Sequence, residues 1–304
     1  MTPASLRKLI ARNQHADKIF AVVGLLAMLA GVFALAALLT DLALDGGTRI
    51  NWQFVTSFPS RHAEKAGILS AWVGTSLVML VTIASAVPIG IAAGVYLEEY
   101  ARRNLITDII EINVTNLAGV PSIVYGLLAL GLFVYGMGFG QSVLSAGLTL
   151  GLLILPVVIV STREAIRAVP VAMREAAYAL GATRWQTVRD HVLPYSTGGI
   201  LTGVILGLSR AIGETAPLIT IGALTFISFL PPAPLTSAPP YVSFEWLHAP
   251  FTVMPIQMFN WLSRPQAAFQ ENSAAAGLIL VLMTVGMNAV AIWLRYRFRK
   301  KIKW

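Results

Sequence analysis

Six stretches of this chain are long and apolar enough to cross a bilayer, which narrows its fold before any motif is read. A hydrocarbon core about 30 Å thick takes roughly 20 residues of helix. Runs of that kind lie near 19–40, 68–97, 115–136, 143–162, 197–229 and 273–294. With 56% hydrophobic and 12% charged side chains among 304 residues, there is too little polar surface to solvate a globular protein of this length. The prediction is an all-α membrane protein: a basic arm over 1–18, six transmembrane helices over 19–294 and a basic tail over 295–304. The second and fifth runs exceed one span and contain Pro88 and Pro217, so kinks or partial unwinding are expected there. The first run is too long for a signal-peptide core and lacks a convincing cleavage site, so it is expected to stay as a helix. The absence of cysteine excludes structural disulfides and thiolate metal sites.

Topology accounts for the formal charge of +8. With both termini in the cytoplasm, the inside segments hold Arg7, Lys8, Arg12, Lys18, Arg102, Arg103, Arg163, Arg167, Arg174, Arg184, Arg189 and a tail running from Arg295 to Lys303. Only Arg49, Arg61, Lys65 and Arg264 fall outside. That asymmetry follows the positive-inside rule. The tail suits anionic membrane lipid, and no nucleic-acid partner is called for.

Among the outside segments, 41–67 carries Asp45-Gly46-Gly47 and Pro59, with Trp52 and Phe54 expected at the membrane interface. Residues 137–142 read as a tight glycine-rich turn joining two antiparallel spans. The long outside loop, 230–272, opens on Pro231-Pro232-Ala233-Pro234 and continues through Phe244, Trp246, Phe251, Phe259 and Trp261. Its aromatics suit an interfacial belt, a cover over a pore mouth or contact with an extracytoplasmic partner.

The inside segment 163–195 has the strongest local signals. Pro170 starts a helix that runs over 171–180, and Gly181 supplies a left-handed cap. Thr183 and Gln186 form a capping box, from which a second helix is predicted over about 184–192, ending before Pro194. Helix, glycine, helix makes an elbow suited to docking on a soluble partner.

This elbow resembles the EAA loop of ABC-importer permeases, with Glu175, Ala176, Ala177, Gly181, Leu193 and Pro194 in register. His191 departs from the family, which usually has an aliphatic residue there. Two further stretches, Gly119-Val120-Pro121-Ser122-Ile123-Val124-Tyr125-Gly126 and Ser209-Arg210-Ala211-Ile212-Gly213-Glu214-Thr215-Ala216-Pro217, resemble the phosphate-specific branch. The resemblance implies a MetI-like fold in the bacterial inner membrane. It also implies a second permease subunit, an ATPase dimer seated on the elbow, an extracytoplasmic phosphate-binding protein, and ATP and Mg used by the ATPase and not by this chain. No G-x-x-x-x-G-K-[S/T] sequence occurs here, so hydrolysis belongs to another subunit.

Arg210 and Glu214 fall within the fifth span, where ionisable side chains are costly and mark a substrate path. They are spaced to pair along the helix. On a helical wheel they share a face with Gly203, Gly207 and Ala211, so an interhelical cavity is expected around them. A guanidinium offers forked donors to a tetrahedral oxyanion, and the resemblance implicates Arg210, and more loosely Glu214, in phosphate transport. Sulfate, molybdate and phosphonate importers are alternatives that use similar loops, and a passive anion channel would use the same arginine but not the elbow. An intramembrane enzyme built on Ser209 has no base to serve it, because His15, His62, His191 and His248 all lie outside the predicted spans.

Overall fold

The computed structural model describes residues 3–235 and 241–301. The side chains of Arg7, Lys8, Arg12 and His15, and of the tail after Arg297, lie outside the described residues, as do residues 236–240 of the long loop. The chain folds as α1 (Pro3–Gly46), a short α2 (Trp52–Thr56) and α3 (Leu69–Val95), which ends in a wide π turn, Tyr96–Tyr100. Next come α4 (Leu105–Leu117), α5 (Ser122–Ala129) with its π extension Leu130–Gly136, and α6 (Val143–Arg167). The elbow comprises α7 (Val171–Ala179) and α8 (Arg184–Thr187), joined through the π turn Val188–Val192 to α9 (Leu193–Ala211). Helices α10 (Ala216–Thr220), α11 (Met254–Leu262) and α12 (Ala267–Lys301) complete the chain. Among the described residues, five helices are long and apolar enough to cross a membrane, and the bent pair α4–α5 makes a sixth if counted as one span.

Small residues set the packing of the central bundle. Gly90 and Gly94 of α3 lie against Val158 and Thr162 of α6, while Gly147 and Gly151 of α6 receive Val81 and Ser85 of α3. Contact positions rise together in number, so α3 and α6 run parallel, each lending glycines to the other. The Thr82 hydroxyl crosses this seam to the Gly147 carbonyl at 3.1 Å. Helix α9 packs antiparallel on α6, with Gly203 against Ser161 and Gly207 against Ile154. In lipid, where burial of apolar surface gives little drive between helices, such close approach supplies the association energy. Outside this bundle α1 meets α12 near its C-terminal end, with Gly46 against Ala275 and Leu42 against Gly277, and its apolar side chains from Ile19 to Leu38 are exposed.

The structure departs from the sequence reading at four places. The third span is broken: α4 and the Ser122–Gly136 helix meet at 108°, because Pro121 has no amide hydrogen and holds Val120 away from helical geometry. The fifth span does not reach residue 229, since α9 ends at Ala211 and a short α10 follows before extended chain. Pro194 does not stop the second elbow helix, which runs unbroken over Arg184–Ala211. There the Leu193 amide donates to the Val188 carbonyl, five residues back, and the widened turn carries the helix past the proline. Finally, the aromatic loop is largely core and not an interfacial belt. Trp246, Phe251 and Trp261 are buried, as is Phe54, while Phe244 and Phe259 stay exposed. The chain at Phe251 is drawn in by a backbone bond to Leu224, and the Met254 amide donates to the Thr75 hydroxyl of α3.

Candidate functional site

At the elbow the local signals act as read. Gly181 has φ +83°, and the Thr183–Gln186 capping box is complete on both sides. Glu175, Ala176 and Gly181 are exposed, Ala177 is buried, and Leu193 and Pro194 are half-buried within the continuous helix. His191 points outward, and Val188 and Val192 do the packing beneath it, so the departure at 191 leaves the second helix seated. Around the tip, Val171, Tyr178, Leu180 and Trp185 are exposed, Leu180 by 90%. A cluster of apolar side chains at an outer bend, rimmed by Glu175 and Arg184, has the composition of a protein-docking surface.

Several arginines assigned to this face by the charge count have partners that sequence reasoning missed. Arg163 pairs with Glu98 and Glu111, Arg167 with Glu98, and Arg174 with Glu99. The carboxylates come from the end of α3 and from α4, far away in sequence, and no local pattern announces them. A cavity of about 500 Å³ adjoins this network, lined in part by Arg103, Asp108, Glu111 and Arg163.

The second candidate lies at the opposite end of α9. Arg210 occupies its last turn, about 25 Å along the axis from Leu193 at 1.5 Å per residue. A cation there faces the negative end of the helix dipole. Its Nε donates to Glu214 Oε1 at 3.2 Å, with the two side chains 41% and 18% exposed. Among the described residues, Nη1 and Nη2 of Arg210 have no hydrogen-bond partner. The glycine face and the arginine separate: Gly203, Gly207 and Ala211 are buried against neighbouring helices, whereas Arg210 continues an exposed stripe through Thr202 and Leu206. Within this single chain the arginine therefore opens onto the surface of the protomer and not into a closed interhelical cavity.

The two sequence stretches that flank this site come together in space. Gly126 of α5 sits on Pro217 and Thr220 of α10, so close that a side chain at 126 would collide with both. Tyr125 is buried beside them and its hydroxyl donates to the Leu117 carbonyl at 2.8 Å, tying α5 across the sharp bend. Ser209 donates to the Ile205 carbonyl and to Asn288 Oδ1 of α12 at 2.9 Å. It is thus a structural link beside Arg210. Further down the same seam Arg295 donates to Thr202. An asparagine in the middle of an apolar run was the readable signal for this contact.

Residues 86–304 match the family of binding-protein-dependent transport system inner membrane components. A probable ABC transporter permease, YqgI of Bacillus subtilis, is 30% identical over 92% of this chain and 95% of its own. The phosphate transport system permease PstA of Mycobacterium leprae is 32% identical over 97% of this chain and 92% of its own, and PstA of Yersinia pestis 30% over 98% and 95%. Among solved structures, a bacterial alginate ABC transporter, in complex with its alginate-bound periplasmic protein, aligns over 95% of this chain and 98% of its own with a TM-score of 0.65 at 14% identity. The inward-facing methionine transporter MetNI aligns over 76% and 95% with a TM-score of 0.54 at 16% identity.

Proposed function

Because this chain belongs to the family of binding-protein-dependent transport system inner membrane components, we propose that it is the permease subunit of an ATP-driven importer of inorganic phosphate. The relatives named as phosphate permeases support the substrate. In this reading the elbow faces the cytoplasm, as do both termini, and receives an ATPase dimer on Glu175, Ala176 and the apolar tip around Leu180. A second permease subunit closes the pore against the exposed stripe of α9, and an extracytoplasmic binding protein delivers phosphate to the other side. ATP and Mg serve the ATPase, and this chain performs no chemistry of its own.

One observation carries the assignment of the path: among the described residues, Arg210 keeps two nitrogens of its guanidinium unpaired on an exposed stripe of a helix that carries no other charged side chain. Leaving such donors facing lipid is costly. A tetrahedral oxyanion in a pore between two permease subunits satisfies both with a bidentate, charge-assisted contact. Glu214 holds Nε and moderates the positive field so that the anion can leave.

The test is Arg210→Gln in the fully assembled transporter, with phosphate uptake and complex yield measured together. Loss of a charge-assisted bond is worth about 1.5–3 kcal/mol, so uptake should fall by roughly tenfold or more while assembly is unchanged. Normal uptake with an intact complex would remove Arg210 from the path. Uptake of sulfate in preference to phosphate would replace the substrate, and flux without ATP would make the protein a passive channel.

A further inference from the structure

The π turn Tyr96–Tyr100 that ends α3 gathers side-chain contacts from α6, α7 and α8. Its wide hydrogen bond, from the Ala101 amide to the Tyr96 carbonyl at 2.8 Å, opens the last turn so that successive side chains project toward different neighbours. Glu98 accepts from Nε and Nη2 of Arg167 on α6 at 3.2 and 3.1 Å. Glu99, 6% exposed, accepts from Nε and Nη2 of Arg174 on α7 at 3.0 and 2.7 Å. Tyr100 lies under the Arg184 guanidinium of α8, 5.1 Å from its ring centre.

Arg174 is the most fully engaged of these groups. Besides Glu99 it donates to the Val169 carbonyl at 2.8 Å and the Ile166 carbonyl at 3.0 Å, one just beyond the last turn of α6 and one within it. A single guanidinium thus holds α3, α6 and α7 together. Beneath it Val95, Ile166, Val169, Val188 and Val192 form a small apolar cluster of their own.

The elbow has a covalent route to α9, because its second helix runs into that span without a break. It has none to α3. Resting on the importer reading above, we infer that the Glu98–Tyr100 turn is the joint through which elbow movement reaches α3, with Glu99 and Arg174 as its positioning residues. A buried ion pair does not tolerate separation, since moving one partner strands the other's charge out of water. Helices α7 and α3 are thereby obliged to move together, and through the glycine seams α6 and α9 move with them. The power stroke then rocks α3, α6 and α9 as one body, in place of sliding α9 along a fixed α6.

The experiment uses the complete transporter in proteoliposomes and reads phosphate moved per ATP hydrolysed, alongside the amount of ATPase bound. Glu99→Gln and Arg174→Gln should each leave the ATPase bound and hydrolysing, and lower phosphate moved per ATP by about fivefold or more, the lower end of coupling between sites. The double variant removes both charges and strands neither, so it folds even where a single variant does not. It should be no less coupled than either single variant but still uncoupled relative to the parent, the non-additivity of two groups acting as one. Parental coupling in the double variant, or a loss of transport fully matched by lost ATPase binding, overturns the joint. Failure of the unmodified transporter to bind an ATPase or to move phosphate would sink the importer reading instead.

Discussion

Arg174 and Arg210 each stand close in sequence to a glutamate, Glu175 and Glu214, yet only Arg210 uses it. Arg174 turns inward to Glu99, 75 residues away, and to two carbonyls at the end of α6. Its side chain is 17% exposed. Arg210 pairs locally, four residues on, and is 41% exposed with two nitrogens unpaired among the described residues. The difference separates charges that build the protein from charges held ready for something outside the chain. Where every donor has a buried partner from another helix, the guanidinium is part of the fold. Where the partner is the next turn and the fork stays open, the fold has left it available.

The largest test of this distinction is a pair of truncations. Arg163 is nearly sealed, at 8% exposure, between Glu98 and Glu111. Arg163→Ala leaves these carboxylates crowded around Arg167 and should cost about 3 kcal/mol, the lower end for breaking a buried pair. Arg210→Ala removes an i,i+4 contact and a cation at the negative end of the α9 dipole, and should cost no more than about 1 kcal/mol. Thermal unfolding of the two variants in detergent decides. Equal losses would mean that exposure does not sort the two kinds of arginine.

Sequence makes one side of this comparison far more readable than the other. The spans and the elbow are legible because hydropathy, the Gly181 cap and the Thr183–Gln186 box act over a few neighbouring residues. The same locality exposes Arg210 and Glu214, which stand four residues apart although α9 ends at Ala211 between them. The hub at Glu98 and Glu99 is silent in sequence, since its partners come from 69 and 75 residues away and only parallel packing of α3 on α6 brings them together. The π turns are hidden for a related reason: a widened turn has no residue signature and arises where packing demands it. The aromatic loop misleads differently. Trp246 and Trp261 would look the same in an interfacial belt, and only the backbone bond of Phe251 to Leu224 and the Thr75 contact draw the segment inward.

A smaller effect is expected at Asn288, which lies between the two classes. It receives the Ser209 hydroxyl beside Arg210, but Ser209 also bonds its own helix at Ile205. Asn288→Leu should therefore lower stability by about 1 kcal/mol, the net worth of one hydrogen bond, and reduce uptake far less than Arg210→Gln does. A drop in uptake as large as that of Arg210→Gln, with unchanged stability, would move Asn288 into the transport path.

The smallest change in stability, and the most informative about transport, belongs to Glu214→Gln. The pair is local, so its loss costs only about 0.2–0.5 kcal/mol, and an amide of the same shape can still accept from Arg210 Nε. What changes is the field. With the carboxylate gone, the guanidinium has no negative partner among the described residues and faces an incoming oxyanion with its full charge. The bound state is then stabilised more than the barrier that follows it, and binding that tightens without helping release lowers the half-saturation concentration and the maximal rate together. Initial-rate uptake over a range of phosphate concentrations reads both constants. A fall in the two together supports Glu214 as the moderator of Arg210. An unchanged half-saturation concentration would assign Glu214 only to the end of α9, and Arg210 would then bind its anion without help from its neighbour.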